Sequence, residues 1–532
     1  MIEKFLILIM SIFLILAAGS ANIYPIYLQN LIEKFGFTIN EMNLYGSIVT
    51  LATLIGFPIS IIYDSYGPKF SCFIGTVLLS GGYFLLHCLF KYEFFSNINI
   101  YPLYFLGFII GQGYSLLYTT AITTNLKNFR FKQNSSIIGT LVANLAISPS
   151  IFTTYRQLNL DITEDNFYLY FSIFLFFIGF FTFIIINNIN FPYPEDSILK
   201  KYQKHKEKRI LNLLMLYSLI NIGVFVFGVL YNYFTNTYSF PLILIYPILQ
   251  LLTFLIVLLE QFGFFDKLYF PEFKQKVELI SKKQIEMSIM NKKSERNIIK
   301  TKSTYYKKEY EFNEALKSPK LILLFIALFF GLGSTLSNVS NINFILKSLT
   351  YKIHYSGMNK GLISIYKSKD LFFYVILYFT LNSLTRISSS IFLDYLIKNN
   401  KFIYFFLMFS FFGFISQFLG ISMNKKLLYI TIALAGATHG GYMTFLPIFV
   451  KNEFGLKNMG KILGTITTGA GIGSLTIGEI VFSLPYNKYA QLEGNIQCIG
   501  AHCFRKSFII TTIFFGINII ISIILIAISN KK

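Results

Sequence analysis

The chain has 532 residues, of which 54% are hydrophobic and only 13% charged, with a mean hydropathy of +0.58. A soluble protein of this length needs far more polar surface, and here the apolar residues come in long runs, which excludes a soluble enzyme or binding domain. The net charge of +21 invites a nucleic-acid reading that the placement of the charges removes below, and four cysteines are too few for a disulfide scaffold.

A bilayer crossing needs about 20 mostly apolar residues. Fourteen stretches meet that need, near residues 5–28, 44–63, 70–90, 101–124, 136–156, 167–187, 210–231, 241–259, 320–345, 371–396, 402–422, 427–450, 462–484 and 507–529. The first ends in Ala17-Ala18-Gly19-Ser20-Ala21, which resembles a signal-peptidase site. Its apolar run is long for a signal core, so an uncleaved span with small residues for close packing is expected. Cys72 and Cys88 fall within one apolar segment and read as packing residues. The 60 Phe and 36 Tyr accompany much Ile, Asn and Lys, a codon-bias pattern that carries no functional weight.

The one long hydrophilic segment, Gly263–Ser318, divides the chain. The expected layout is a six-helix bundle (1–190), a basic loop with two additional spans (191–262), a cytosolic basic loop (263–319) and a second six-helix bundle (320–532). Twelve spans result instead if the 210–259 pair is re-entrant or interfacial. The central loop reads as a solvated linker, with an amphipathic helix on the inner leaflet as the alternative. With the N-terminus in the cytosol, the inner loops collect 31 Lys and Arg against 12 outside, which fixes the orientation. The basic residues are therefore topology signals near anionic lipid, and no nucleic-acid partner is expected.

Ser60-Ile61-Ile62-Tyr63-Asp64-Ser65-Tyr66-Gly67-Pro68-Lys69 lies between the second and third spans. It resembles the major-facilitator loop signature Gly-x-x-x-Asp-x-x-Gly-Arg/Pro-Arg/Lys, with Ser60 in place of the first glycine. Gly67 permits a tight inner turn, Pro68 stiffens it, Lys69 ends it, and Asp64 can pair with a cation or a helix end when the inner gate shuts. A plain turn with a chance charge is the alternative.

Later motifs follow in order: Gly331-Leu332-Gly333-Ser334 with Asn341, Asn382-Ser383-Leu384-Thr385-Arg386 with Asp394, and His439-Gly440-Gly441 with Pro447. After them come Glu453-Phe454-Gly455-Leu456-Lys457-Asn458-Met459-Gly460, Gly473-Ser474-Leu475, and Cys498-Ile499-Gly500-Ala501-His502-Cys503-Phe504. In this order they resemble the nodulin-like, monocarboxylate-transporter-like branch of the major facilitator superfamily. Gly19 to Leu28 and Gly82-Tyr83 are similar to that family's opening. One departure is Asn128-Phe129-Arg130-Phe131-Lys132, where the family has Asn-Phe-Pro-x-x-Arg-Gly, so the inner turn there has different gating contacts. The resemblance implies an all-α polytopic membrane protein of the major facilitator fold, two six-helix bundles plus two extra spans, that works by alternating access.

Charges inside spans cost roughly 2.5–3.5 kcal/mol and so mark function. Arg386 sits mid-span with Asn382 one turn before it on the same face. In the related monocarboxylate transporters this position carries Asp-x-x-x-Arg, which implies substrate-carboxylate contact for Arg386 and leaves Asn382 unable to relay a proton. A structural pair between Arg386 and Asp394, itself a gating candidate, is the alternative. His439, His87 and Glu479 are candidates for the missing proton carrier, against a packing role for each. Gln112, Tyr114 and Tyr118, among glycines of the fourth span, suit a cavity wall or helix–helix hydrogen bonds, as does Asn341 with Asn338. Arg156, near an outer end, is expected to snorkel. Cys498 and Cys503 suit a short disulfide loop or free thiols, and a zinc site with His502 would lack a fourth ligand.

These readings converge on a secondary transporter, with neither enzymatic chemistry, metal nor cofactor expected. Its substrate is a small organic anion, a monocarboxylate with pantothenate as the named candidate, and H+ is the candidate coupling ion. A monomer in the plasma membrane is expected, with an organelle or vesicle membrane as the alternative. A metal or drug exporter of the same fold, or a non-transporting membrane sensor, is the rival function.

Overall fold

The first span breaks in its middle. In the computed structural model, α1 (Ile2–Gly19) runs through a 3-10 turn (Ser20–Ile23) into α2 (Tyr24–Phe35). Gly19 and Ser20 are poor helix formers, and Pro25, in the first turn of α2, has no N–H to continue the ladder. The Ala17–Ala21 run is buried packing surface, with Gly19 close against Leu145 and Ser148. The structure describes residues 2–92, 99–129, 135–158, 162–189, 197–235, 252, 255, 259, 309–356, 359–364, 368–399, 401–492 and 498–530.

α3 (Ile39–Leu54) starts on a capping box in which Thr38 and Glu41 exchange side-chain and backbone bonds. It stops at Ile55-Gly56, and α4 (Phe57–Lys91) begins at once. α4 folds back at Gly67, whose φ of +81° suits a residue without a Cβ, so the second and third spans meet there. α5 (Ile100–Asn128), α6 (Ser135–Leu158), α7 (Glu164–Ile185) and α8 (Ser197–Thr235) follow, with α4 packed on α5 and α7. The expected span at 241–259 lies outside the described residues but for three positions. So does most of the expected central loop, of which residues 309–318 are described.

After a short α9 (Phe312–Leu316) come α10 (Pro319–Ser340) and α11 (Ile342–Thr350). Between α11 and the next span lies a hairpin, β1 (Tyr351–Ser356) antiparallel to β2 (Asn359–Ser364). Then follow α12 (Ser368–Lys398), α13 (Ile403–Gly420), α14 (Lys425–Phe454) and α15 (Met459–Thr476). A π-helical stretch (Ile477–Ser483) joins α15 to α16 (Leu484–Leu492), and α17 (His502–Asn530) ends the chain. Helices from the two sequence halves interlock: α12 lies along α6, and α15 packs on α3 and α4.

Ten helical stretches among the described residues are long and apolar enough to cross a membrane, one of them the folded-back Glu41–Lys91. α12 and α14 are as long and carry Arg386 and His439. The surface is inside-out for a water-soluble protein. Phe177, Phe181, Ile513 and Ile520 point outward, each more than half exposed, while serines, threonines and asparagines fill the interior. Such a surface belongs in lipid, and the protein is an integral multi-pass membrane protein.

Candidate functional site

A small cavity sits where the broken first span, α3, α5, α6, α10, α12 and α14 converge. α12 contributes Tyr378, Asn382 and Arg386, which at four-residue spacing share one face. Asn22 and Tyr24 enter from the break in the first span, Tyr114 from α5 and His439 from α14.

Arg386 is only 2% exposed. Its Nε donates to Asn382 Oδ1 (2.7 Å), Nη1 to the Val142 carbonyl (2.8 Å) and Nη2 to His439 Nε2 (3.4 Å). Close packing of α6 on α12 makes the second bond possible, since a Cβ on Gly139 would fall 2.3 Å from Ser390. Ser383 Oγ also donates to the Ala143 carbonyl there. Tyr114 and Tyr118 approach the guanidinium from α5 with parallel rings 6.1 Å apart. The Tyr118 hydroxyl has no hydrogen-bond partner among the described residues. His439 Nδ1 lies 2.7 Å from the Tyr378 hydroxyl. No carboxylate lines the cavity among the described residues.

Each end of the bundle is bridged. At one end Asp64 Oδ2 accepts the Lys461 backbone N–H (3.0 Å) at the start of α15, with Lys127 Nζ 4.0 Å away. Asp394 Oδ1 accepts the Ser135 N–H (3.3 Å) at the start of α6. The two acids are reciprocal: each ends a span in one sequence half and caps a helix of the other, where the helix dipole favours an anion. Pro68 is buried in the turn and Lys69 is exposed. Residues before α9 add a strap, with Glu309 Oε2 accepting the Leu456 and Lys457 N–H groups (3.2 and 2.8 Å) and Phe312 stacked on Phe57. The exposed Glu311 pairs with Lys457, whose ammonium holds its carboxyl below the usual range. At the opposite end Ser47 Oγ donates to Glu479 Oε1 (3.1 Å), and Glu479 stands on the π-helical stretch.

Arg386, Asn382, Tyr114 and His439 thus share the cavity, with Tyr118 beside it. The other candidates lie elsewhere. Asp394 caps α6 and is not a partner of Arg386. Gln112 Nε2 bonds the Ala52 and Ile55 carbonyls (2.8 and 3.2 Å), where the end of α3 leaves backbone acceptors, so it is a cap and not cavity wall. His87 Nδ1 pairs with the Asp165 carbonyl (2.8 Å), away from the cavity. Asn341 turns back onto Ser337 and Ser340, near Gly478. Arg156, near the end of α6, pairs with Glu164 and covers the Phe167 ring. Cys498 and Cys503 are joined by a disulfide, and the Gly500 N–H of that loop bonds the Ser348 carbonyl on α11 (2.9 Å). Sequence reading missed Tyr378, one turn before Asn382, and Asn22 and Tyr24, although Gly19-Ser20 and Pro25 signal a broken helix there.

Residues 4–259 match the model of the Nodulin-like family. Over those residues, just under half of its length, the chain is similar to the Nodulin-like family. Over 91 residues it is 29% identical to a probable transporter, MCH1, of Yarrowia lipolytica, which covers 16% of this chain and 18% of that relative. The fold of the chain is similar to that of the proton:xylose symporter XylE, with a TM-score of 0.54, 10% identity and coverage of 97% and 94% of the two chains. It is also similar to a bacterial homologue of the human drug peptide transporters PepT1 and PepT2, with a TM-score of 0.51, 11% identity and 99% coverage of each. The likeness concerns the fold: the cavity falls between helices from both sequence halves.

Proposed function

We propose that this protein is a secondary transporter that carries a small organic anion, a monocarboxylate such as pantothenate, by alternating access. The observation that carries the reading is Arg386, a buried guanidinium that faces a cavity and, among the described residues, meets only neutral partners. A mid-membrane cation costs several kcal/mol unless it is compensated, and a carboxylate on the guanidinium fork supplies that compensation together with two parallel hydrogen bonds. The tyrosine rings and apolar wall beside it suit a short organic body. The caps at Asp64 and Asp394 and the contact at Glu479 act as the two gates, and breaking one set at a time exposes the cavity to one side. By the charge bias the Asp64 end and both termini are cytosolic, and the plasma membrane is the default site.

The test is ligand-dependent stability of the purified protein, because a ligand that binds only the folded state raises its melting temperature. Lactate or pantothenate is expected to raise it and choline is not, and Arg386→Gln is expected to lose the shift. A shift that survives in Arg386→Gln contradicts the reading.

A further inference from the structure

His439 makes two hydrogen bonds that determine where its proton sits. A guanidinium has donors and no acceptor, so His439 Nε2, 3.4 Å from Arg386 Nη2, must accept. The neutral ring therefore carries its hydrogen on Nδ1 and donates it to the Tyr378 hydroxyl at 2.7 Å. With Nδ1 carrying its hydrogen, Nε2 is the one position on the ring able to take a proton. While Arg386 occupies that nitrogen, a second cation cannot form there.

We propose that His439 is the proton carrier of this transporter and that it takes up its proton only together with the anion. This inference rests on the anion site proposed above. A carboxylate entering the cavity draws the Arg386 fork onto its own oxygens and off His439. Nε2, relieved of its donor, accepts a proton from water and becomes a donor beside the same carboxylate. Nδ1–H stays on Tyr378 throughout, and no bond other than the new N–H is made. The empty site carries one positive charge, from Arg386. The loaded site carries two, from Arg386 and the imidazolium, less one from a monoanion, so the net charge is unchanged. Neither ligand is favoured alone: the proton meets Arg386, and the anion without the proton loses its second cation.

The groups that face the ring support this. α12 contributes Tyr378, Asn382 and Arg386, the first span contributes Tyr24, and α5 contributes Tyr114 and Tyr118 beside the guanidinium. One turn along α14, Tyr442 is occupied by Ser410 and Asn518. No acid is among them, so none of these groups replaces the substrate carboxylate as the counter-charge. The arrangement does the work of the missing acid at position 382 with a histidine from a different helix.

The test uses the full-length protein in liposomes with labelled lactate and pantothenate as probes. Wild type should accumulate one of them down an inward proton gradient, by up to about tenfold per pH unit for one proton per anion. An imposed membrane potential without a pH gradient should leave uptake unchanged. His439→Gln should lose gradient-driven accumulation while keeping slower but measurable exchange of labelled for unlabelled anion, which also shows that it folds. Gradient-driven accumulation in His439→Gln overturns the proposal and leaves the anion site standing, as does uptake driven by potential. Failure of wild type to bind either probe removes the anion site and this inference with it.

Discussion

Arg386 and Gln112 are both buried polar residues on long helices, and their partners separate their roles. Gln112 spends its amide on two backbone carbonyls at the break after α3, so it stabilises the structure without touching ligand. Gln112→Leu should lower stability by about 1–3 kcal/mol, the cost of leaving buried acceptors unpaired, while ligand-induced shifts in melting temperature persist. A loss of ligand response without a loss of stability would return Gln112 to the cavity wall. The Arg386–Asn382 pair was legible in the sequence because both residues ride one helix at a fixed four-residue spacing. The contact with His439 was not, because it depends on how α14 is rotated against α12, which side-chain packing decides. Gln112 and His87 looked like site residues for the same reason: sequence shows that a polar side chain lies in a span but not which acceptor it meets.

At the scale of elements, the Asp64 end is held by helix caps that cross between the sequence halves. Asp64→Asn removes the charge that α15 receives at its N-terminus and should slow turnover with little change in substrate affinity. Unchanged turnover would reduce the turn to a connector. A very close backbone approach at this end is between Gly56 and Gly464, where a Cβ on Gly56 would lie 2.6 Å from the Gly464 Cα. Gly56→Ala should therefore disfavour closure, and a cysteine placed at Thr53 should react faster with a thiol reagent applied from the Asp64 side. Equal labelling rates would show that this contact does not gate access. The turn between the second and third spans was readable from Gly67-Pro68, since few residues adopt a positive φ. The β1–β2 hairpin and the π-helical stretch were not readable, because backbone pairing in one and a shifted ladder in the other leave no apolar periodicity.

For the whole molecule, long apolar runs and the charge bias between loops give the expected spans and orientation, with the 210–259 pair open between crossing and re-entrant. The fold of buried serines and threonines within an outward apolar shell agrees with a multi-pass protein. Tags at Asn291 and at the C-terminus should be accessible from the cytosol and one at Asn495 from outside. A tag at Asn236 reads the 210–259 pair, being external if both segments cross. External labelling at Asn291 would overturn the orientation. Substrate class was the least legible property, since it depends on one cavity assembled from helices far apart in the chain.

The most direct measurement is uptake of labelled lactate and pantothenate into liposomes containing wild type, Arg386→Lys or Arg386→Gln protein. The account predicts uptake by wild type and weaker uptake by the lysine variant, which keeps the charge and loses the fork. It predicts a loss of about 100-fold or more for the glutamine variant, in line with two charge-assisted bonds at roughly 1.5–3 kcal/mol each. Normal uptake by Arg386→Gln, or a transported solute that proves to be a cation, would contradict it.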